Sequence, residues 1–243
     1  MKFIQLIISV FVLGYFISFS SCSKDTCIHG SGPIVTQDIT ISDFNGFDLY
    51  GSFNIVLKEA SDIRVYAEGQ QNIISYISTI VSNGIWRAAL QDGCYNDYTL
   101  TVYIEHPNIS EMEISGSGNI QILDRLDSLE NLNVFISGSG NVFSNDSIII
   151  NNYLNIDISG SGNIGLQGSA LNQNINISGS GNYNAFELYS ENCIASIPGS
   201  GNIEIYADST LNVFIAGSGS VYYKGNPDIT QNITGSGVII DAN

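Results

Sequence analysis

Apolar and polar residues alternate through most of this chain in short runs, the period of a strand with one buried face. The alternation can be indexed on a recurring mark. Gly-Ser-Gly-Asn begins at Gly116, Gly138, Gly160, Gly179 and Gly199, and returns as Gly-Ser-Gly-Ser at Gly217 and Gly-Ser-Gly-Val at Gly235. The spacings are 22, 22, 19, 20, 18 and 18 residues. A motif that stays fixed while its period drifts marks a rigid corner in a repeat whose other corners accept insertions.

The flanks say what that corner joins. Two residues before each first Gly stands an isoleucine: Ile114, Ile136, Ile158, Ile177, Ile197, Ile215 and Ile233. Four before it stand Met112, Val134, Ile156, Ile175, Ala195 and Val213, with Gln231 breaking the series. A spacing of two is one face of a strand. Beyond the corner the next apolar positions are Ile120, Val142, Ile164, Tyr183, Ile203 and Val221, so a second short strand leaves it. One repeat cannot bury its inward face alone, but copies stacked about 4.8 Å apart can. The pattern therefore predicts an all-β chain folded as a parallel β-helix with corners every 18–22 residues. Its seven corners would span roughly 29 Å of axis.

Within the corner, the glycine pair is expected to adopt backbone angles closed to other residues, and the small Ser to let coils approach. Asn119, Asn141, Asn163, Asn182 and Asn202 are expected to form a structural turn ladder, each amide bonding the next coil. Exposed ligand-binding groups are the alternative, and repetition in register favours the ladder. Residues 33–110 alternate less regularly, as in Ile39-Thr40-Ile41, Phe47-Asp48-Leu49, Ile63-Arg64-Val65-Tyr66 and Leu100-Thr101-Val102-Tyr103-Ile104. Gly51-Ser52-Phe53-Asn54-Ile55 looks like a decayed corner. Residues 33–110 thus read as less regular coils, with an insertion between about Ala67 and Tyr98, continuous in one domain with the regular repeats of 111–243. The segment Gln70 to Val81 is the best helix candidate, weakened by its β-branched content.

The start of the chain changes the picture. Met1-Lys2, an apolar run from Phe3 to Phe19 and then Ser20-Ser21-Cys22 read as a secretory signal over residues 1–21. The run is about long enough to span a bilayer, but only one Lys flanks it. Ser-Ser-Cys resembles a bacterial lipobox, which implies cleavage before Cys22 and lipidation of Cys22, with residues 22–32 as a tether. Two or more acyl chains give stable anchoring. An outer-membrane lipoprotein is expected, facing the periplasm or exposed at the cell surface and touching the membrane through its lipid alone. Ser23-Lys24-Asp25 faintly resembles an acidic surface-export signal.

Charge narrows the partners. The chain carries a net charge of −16. Removing residues 1–21 takes away one of seven basic residues and none of the 23 acids, leaving −17. Such a surface repels phosphate backbones, so nucleic acid is not an expected partner. In an oxidising compartment three cysteines remain after Cys22. Cys27 and Cys94 lie in turn-rich stretches and Cys193 in an apolar strand pattern, which favours a disulfide between Cys27 and Cys94 and a buried free Cys193. No pair has zinc-site spacing, no Gly-Gly-x-Gly-x-Asp calcium repeat is present, and no metal or cofactor is expected.

Candidate chemistry is sparse. A polysaccharide lyase needs a basic group and a cation for the uronate, yet Lys24, Lys58, Arg64, Arg87, Arg125 and Lys224 are scattered. Hydrolysis needs two carboxylates across a cleft. Asp124 with Asp127, and Glu111 with Glu113, read as solvated edge charges instead. His29 and His106 accompany no nucleophile motif, so the chain is expected not to be an enzyme. Tyr183, Phe186, Tyr189, Tyr206, Tyr222 and Tyr223 recur in consecutive repeats, either as core or as an exposed stripe. If exposed, Tyr183, Tyr189, Tyr206, Tyr222 and Tyr223 form the candidate binding face.

Three features together carry a family resemblance: the repeated Ile-Ser-Gly-Ser-Gly-Asn, the closing Tyr222-Tyr223-Lys224-Gly225-Asn226-Pro227 before Ile233-Thr234-Gly235-Ser236-Gly237, and Val102-Tyr103-Ile104 with Pro107. Over about residues 30–240 the chain resembles the head GIN domain family, a group common among Bacteroidetes lipoproteins and labelled as auto-transporter adhesins. The resemblance implies a right-handed parallel β-helix and brings no catalytic or ligand residues with it. Together these readings predict an envelope lipoprotein that holds a glycan or protein on a rigid scaffold. The alternative is a structural protein that self-associates into a homo-oligomer, and a polysaccharide-active enzyme ranks third.

Overall fold

The computed structural model describes residues 27–243. The signal segment 1–21, Cys22 and Ser23-Lys24-Asp25 lie outside the described residues. The structure is nearly all β, a stack of parallel coils forming a solenoid of about 7 turns.

The chain opens with β1 (Ile28–His29), β2 (Ile34–Asp38), β3 (Gly46–Tyr50), β4 (Asn54–Glu59) and β5 (Arg64–Gln70). The one helix among the described residues, α1 (Gln71–Ile74), is a single turn inside the segment read as helix-like, followed by β6 (Val81–Ser82), β7 (Ile85–Ala89), β8 (Tyr95–Asn96) and β9 (Leu100–His106). The regular coils then contribute, to one sheet, β10 (Glu111–Ile114), β12 (Leu126–Ile136), β14 (Ile148–Ile158), β16 (Gly168–Ile177), β18 (Leu188–Ile197), β20 (Thr210–Ile215) and β22 (Asp228–Ile233). To the other they contribute β11 (Ile120–Ile122), β13 (Val142–Ser144), β15 (Ile164–Gly165), β17 (Tyr183–Ala185), β19 (Ile203–Tyr206), β21 (Val221–Lys224) and β23 (Ile239–Asp241). The two sheets face each other and join at the Gly-Ser-Gly corners.

Register reproduces the sequence columns. Leu49, Ile114, Ile136 and Ile158 stack in successive coils, as do Ile197, Ile215 and Ile233. All are buried except Ile233, which lies in the last coil and is half-exposed. The expectation for the corner glycines needs correcting. Positive φ among the glycines occurs at Gly32, Gly84, Gly168 and Gly225, none of them in a Gly-Ser-Gly corner. The constraint is instead the approach of one coil to the next: a Cβ on Gly162 would lie 1.8 Å from the carbonyl oxygen of Gly140. Glycine is used here because the backbones touch.

The first coils are wound out of sequence order. β7 pairs with β3, and β9 with β4, on the side away from β10 and β11. The coil β3–β4 is therefore made first, the chain steps back to lay β7 and β9 beneath it, then residues 107–110 pass over to begin β10. His106, buried, pins this crossover: Nε2 donates to the Phe44 carbonyl at 2.8 Å and Nδ1 accepts from the Asn108 amide at 3.0 Å.

The same segment closes this end. β5 pairs antiparallel with β9 and β2 antiparallel with β5, β6 turns antiparallel on β7, and buried Ile73, Ile74, Ile77 and Trp86 plug the bore. A disulfide joins Cys27 to Cys94, 67 residues apart, and β1 lies parallel to β8 beside it. Cys193 is a buried free thiol whose proton burial holds in place. At the far end, β22 is exposed along its whole length, and no further strand pairs with it among the described residues.

Candidate functional site

The Asn positions form a continuous ladder. The backbone N–H and Nδ2 of Asn119 both donate to Asn54 Oδ1 at 3.1 Å. The pattern repeats from Asn141 to Asn119, Asn163 to Asn141, Asn182 to Asn163 and Asn202 to Asn182, and Ser220 N–H closes the series on Asn202 Oδ1. Each side-chain oxygen thus satisfies the coil above it, and the row is committed to holding the corners.

The groups weighed for catalysis are dispersed. His29 pairs with Asp97 on the exposed surface, and His106 serves the crossover. Asp127 pairs with Arg125 at 2.6 Å. Glu113 stacks on Asp48 in the adjacent coil, and burial, then the Asp48 charge, raise its pKa.

The aromatic stripe read from the sequence divides. Tyr183 is a correction: it is 0% exposed, and its hydroxyl donates to Gln173 Oε1 at 2.7 Å inside the core. Its place in the repeat is the inward position after the corner, in register with Ile164 and Ile203. Tyr223 also occupies an inward position, in register with Ile205 and partly covered, and burial with nearby Asp241 raises its pKa. Tyr189 is exposed, packs on Tyr206 with ring centroids 4.6 Å apart, and donates to Asp208 at 2.9 Å. Tyr222 faces outward from β21 in register with Glu204, and Lys224 sits over the Phe186 ring.

A recess does occur elsewhere on that sheet. Reading across the outer face from the capped end, one row runs Tyr66, Tyr103, Val56, Gln121, Phe143, Gly165. The drop in side-chain size at Val56 and Gln121 leaves a groove of about 300 Å³ between Tyr103 and Phe143, also lined by Asn54, Thr101 and Asn119. Tyr103 is held as a wall: it stacks on Tyr66 at 4.7 Å with planes 4° apart and donates to Glu68 at 3.3 Å. Lys58 Nζ lies 5.4 Å from the Tyr103 ring centre and donates to the Tyr66 hydroxyl. Phe143 is 40% exposed. Past Asn54 and Thr101 the groove opens into a second space of about 450 Å³ lined by Tyr95, Tyr98, Asn96 and Ser52.

The sequence offers a partial signal for this site. Tyr103 and Phe143 each occupy the outward phase of their strands, but their separation depends on β9 lying beneath β4, which the order of the strands along the chain conceals.

Comparison with known families now decides the identity. The family described as "Putative auto-transporter adhesin, head GIN domain" matches residues 43–227. The chain belongs to this family. Its head GIN fold is similar to the crystal structure of a "putative adhesin" from Bacteroides fragilis NCTC 9343, at 26% identity and TM-score 0.81, covering 87% of this chain and 98% of that one. It also resembles a "putative lipid binding protein" from Parabacteroides distasonis ATCC 8503, at 24% identity and TM-score 0.71, covering 89% and 99%. A "putative adhesin" from Parabacteroides merdae ATCC 43184 shares 22% identity at TM-score 0.67, covering 89% and 99%. Comparison with curated proteins gives no match. The adhesin description and the Bacteroidetes sources point to the cell envelope or surface as the setting of the head GIN domain.

Proposed function

We propose that this head GIN domain protein is a non-catalytic binding module of the bacterial envelope, anchored in the outer membrane through lipid on Cys22 and carrying a glycan or protein partner on its rod. The observation that carries this reading is the groove between Tyr103 and Phe143, where aromatic walls and side-chain amides converge on an open surface. Recognition sites combine apolar rings with a few placed polar groups in this way. The groove contains no nucleophile, base or paired carboxylate, which is why binding is preferred to turnover. The net charge of −17 after signal removal argues against nucleic acid and anionic head groups as partners.

The test is an array of glycans and matrix proteins probed with residues 23–243, beside a Tyr222→Ala variant that alters an outward-facing ring of the last coils. Saturable binding to a defined surface is expected, unchanged by the substitution. If Tyr222→Ala loses it, the binding face lies on the last coils and not in the groove, and a blank array overturns the reading.

A second reading is favoured by one observation, the unpaired backbone groups and half-exposed Ile229 and Ile233 of β22. Such an edge is a template for another strand, and self-association through it would make the rod part of a larger envelope structure. Light scattering on the eluting protein decides: a strict monomer removes this alternative.

A further inference from the structure

Resting on the binding reading above, we propose that the groove between Tyr103 and Phe143 is a site for an uncharged, extended oligosaccharide. Pyranose rings present a flat array of C–H bonds to aromatic faces and a rim of hydroxyls that both donate and accept. The groove offers both complements. Tyr103 borders the recess with Tyr66 stacked on its ring and Lys58 Nζ 5.4 Å from the ring centre, and because the ring is already fixed by its stack and by Glu68, little freedom is lost on binding. Phe143 closes the opposite side, and the next position in its row, Gly165, has no side chain to crowd it.

The polar lining is matched to hydroxyls and not to ions. The Gln121 amide, the Thr101 hydroxyl and Asn54 Nδ2 make no hydrogen bond to any described residue, although all three border the groove. An amide supplies a donor and an acceptor together, as a sugar hydroxyl requires. The charged groups nearby are already engaged: Lys58 donates to Tyr66, Glu68 accepts from Tyr103, and Glu105 lies 3.7 Å from Arg64. No arginine or lysine lines the recess to hold a uronate or sulfate, and the net charge of the chain repels one.

Dimensions favour a chain over a single sugar. Tyr103 and Phe143 stand three ladder steps apart, about 14 Å on the usual interstrand spacing, room for more than one ring. The continuation past Asn54 and Thr101 towards Tyr95 and Tyr98 extends the track along β4 and β9, within the same coils.

The experiment is titration calorimetry of residues 23–243 with cellohexaose, maltohexaose, mannohexaose and chitohexaose, and with polygalacturonate as the anionic comparison. Phe143→Ala removes the exposed wall, and Phe214→Ala makes the same change at an exposed site on the other sheet. At least one neutral hexaose should bind, at least tenfold more weakly after Phe143→Ala and unchanged after Phe214→Ala. Equal affinity of the parent and Phe143→Ala for the hexaose overturns the groove while leaving the binding module intact. Binding of polygalacturonate or a matrix protein alone overturns the neutral-sugar assignment and keeps the module. If no sugar or protein surface binds, both readings fall.

Discussion

At the scale of single residues, the least expected feature is a polar network inside an apolar bore. Gln173 is fully buried in a column that otherwise runs Leu132, Leu154, Cys193 and Leu211. It is satisfied on both ends: Oε1 accepts from Tyr183, Nε2 donates to Ser190 Oγ at 3.0 Å, and Ser190 in turn donates to the Tyr206 carbonyl at 2.6 Å. Tyr183→Phe keeps the ring and strips the donor from Gln173 Oε1. An unsatisfied buried acceptor costs about 1–3 kcal/mol, so the variant should melt earlier by that amount in chemical denaturation, and an unchanged midpoint would show that the network tolerates the loss. This network also explains where the sequence stopped being legible. The repeat phase puts position 183 inward, but a tyrosine among isoleucines invites a surface role until its partner, ten residues upstream in the chain, is seen beside it. The Asn ladder was readable because each amide bonds its own counterpart one coil away, so the periodicity is the contact.

Elements repeat the lesson with a different outcome. Strands β10 to β23 follow the corner motif, because each from β10 to β21 pairs with the element one repeat later in the chain. The first coils do not, since β7 and β9 lie beneath a coil made before them. Nothing in local hydrophobic phase records that inversion. What holds it is His106, whose neutral ring donates from Nε2 and accepts at Nδ1. Burial is the main cause of its lowered pKa, against an opposing contribution from the Phe44 carbonyl. The sign follows from proton counting. In the unfolded chain histidine binds a proton below about pH 6.5, whereas the folded ring resists it, so His106 supports the fold above that pH and the support is lost as pH falls through the window beneath it. The stability gap between parent and His106→Gln should therefore narrow from pH 7.5 to 5.5, and a constant gap would mean the imidazole is not the titrating group. Glu113 has the opposite linkage. Its raised pKa means the folded state favours the protonated acid, so stability declines as pH rises above the usual glutamate value of about 4.3. Glu113→Gln should raise the melting temperature at neutral pH and change nothing near pH 3.

For the whole molecule, stacking makes the protein nearly one-dimensional, each coil touching its neighbours and little else. Stability can then differ from end to end, and the two ends are unlike: one is closed by antiparallel strands, a helical turn and a disulfide, the other finishes on the exposed β22. The proposed groove sits in the coils nearest the closed end. If Cys22 carries the lipid, four residues separate the anchor from Cys27, at most about 17 Å of extended chain from one to the other. A load on a bound glycan would thus reach the membrane through the Cys27–Cys94 bond and the capped coils, without passing through the distal rod. Closing a loop of 67 residues stabilises a fold by about 4 kcal/mol in the chain-entropy treatment. The double substitution Cys27→Ser, Cys94→Ser should accordingly lower stability by up to that amount, with amide exchange accelerating in β7 and β9 while β14 to β18 stay protected. Uniform acceleration along the rod would show instead that the coils melt as one unit, and that the closed end fastens the whole solenoid and not just the coils beside the groove.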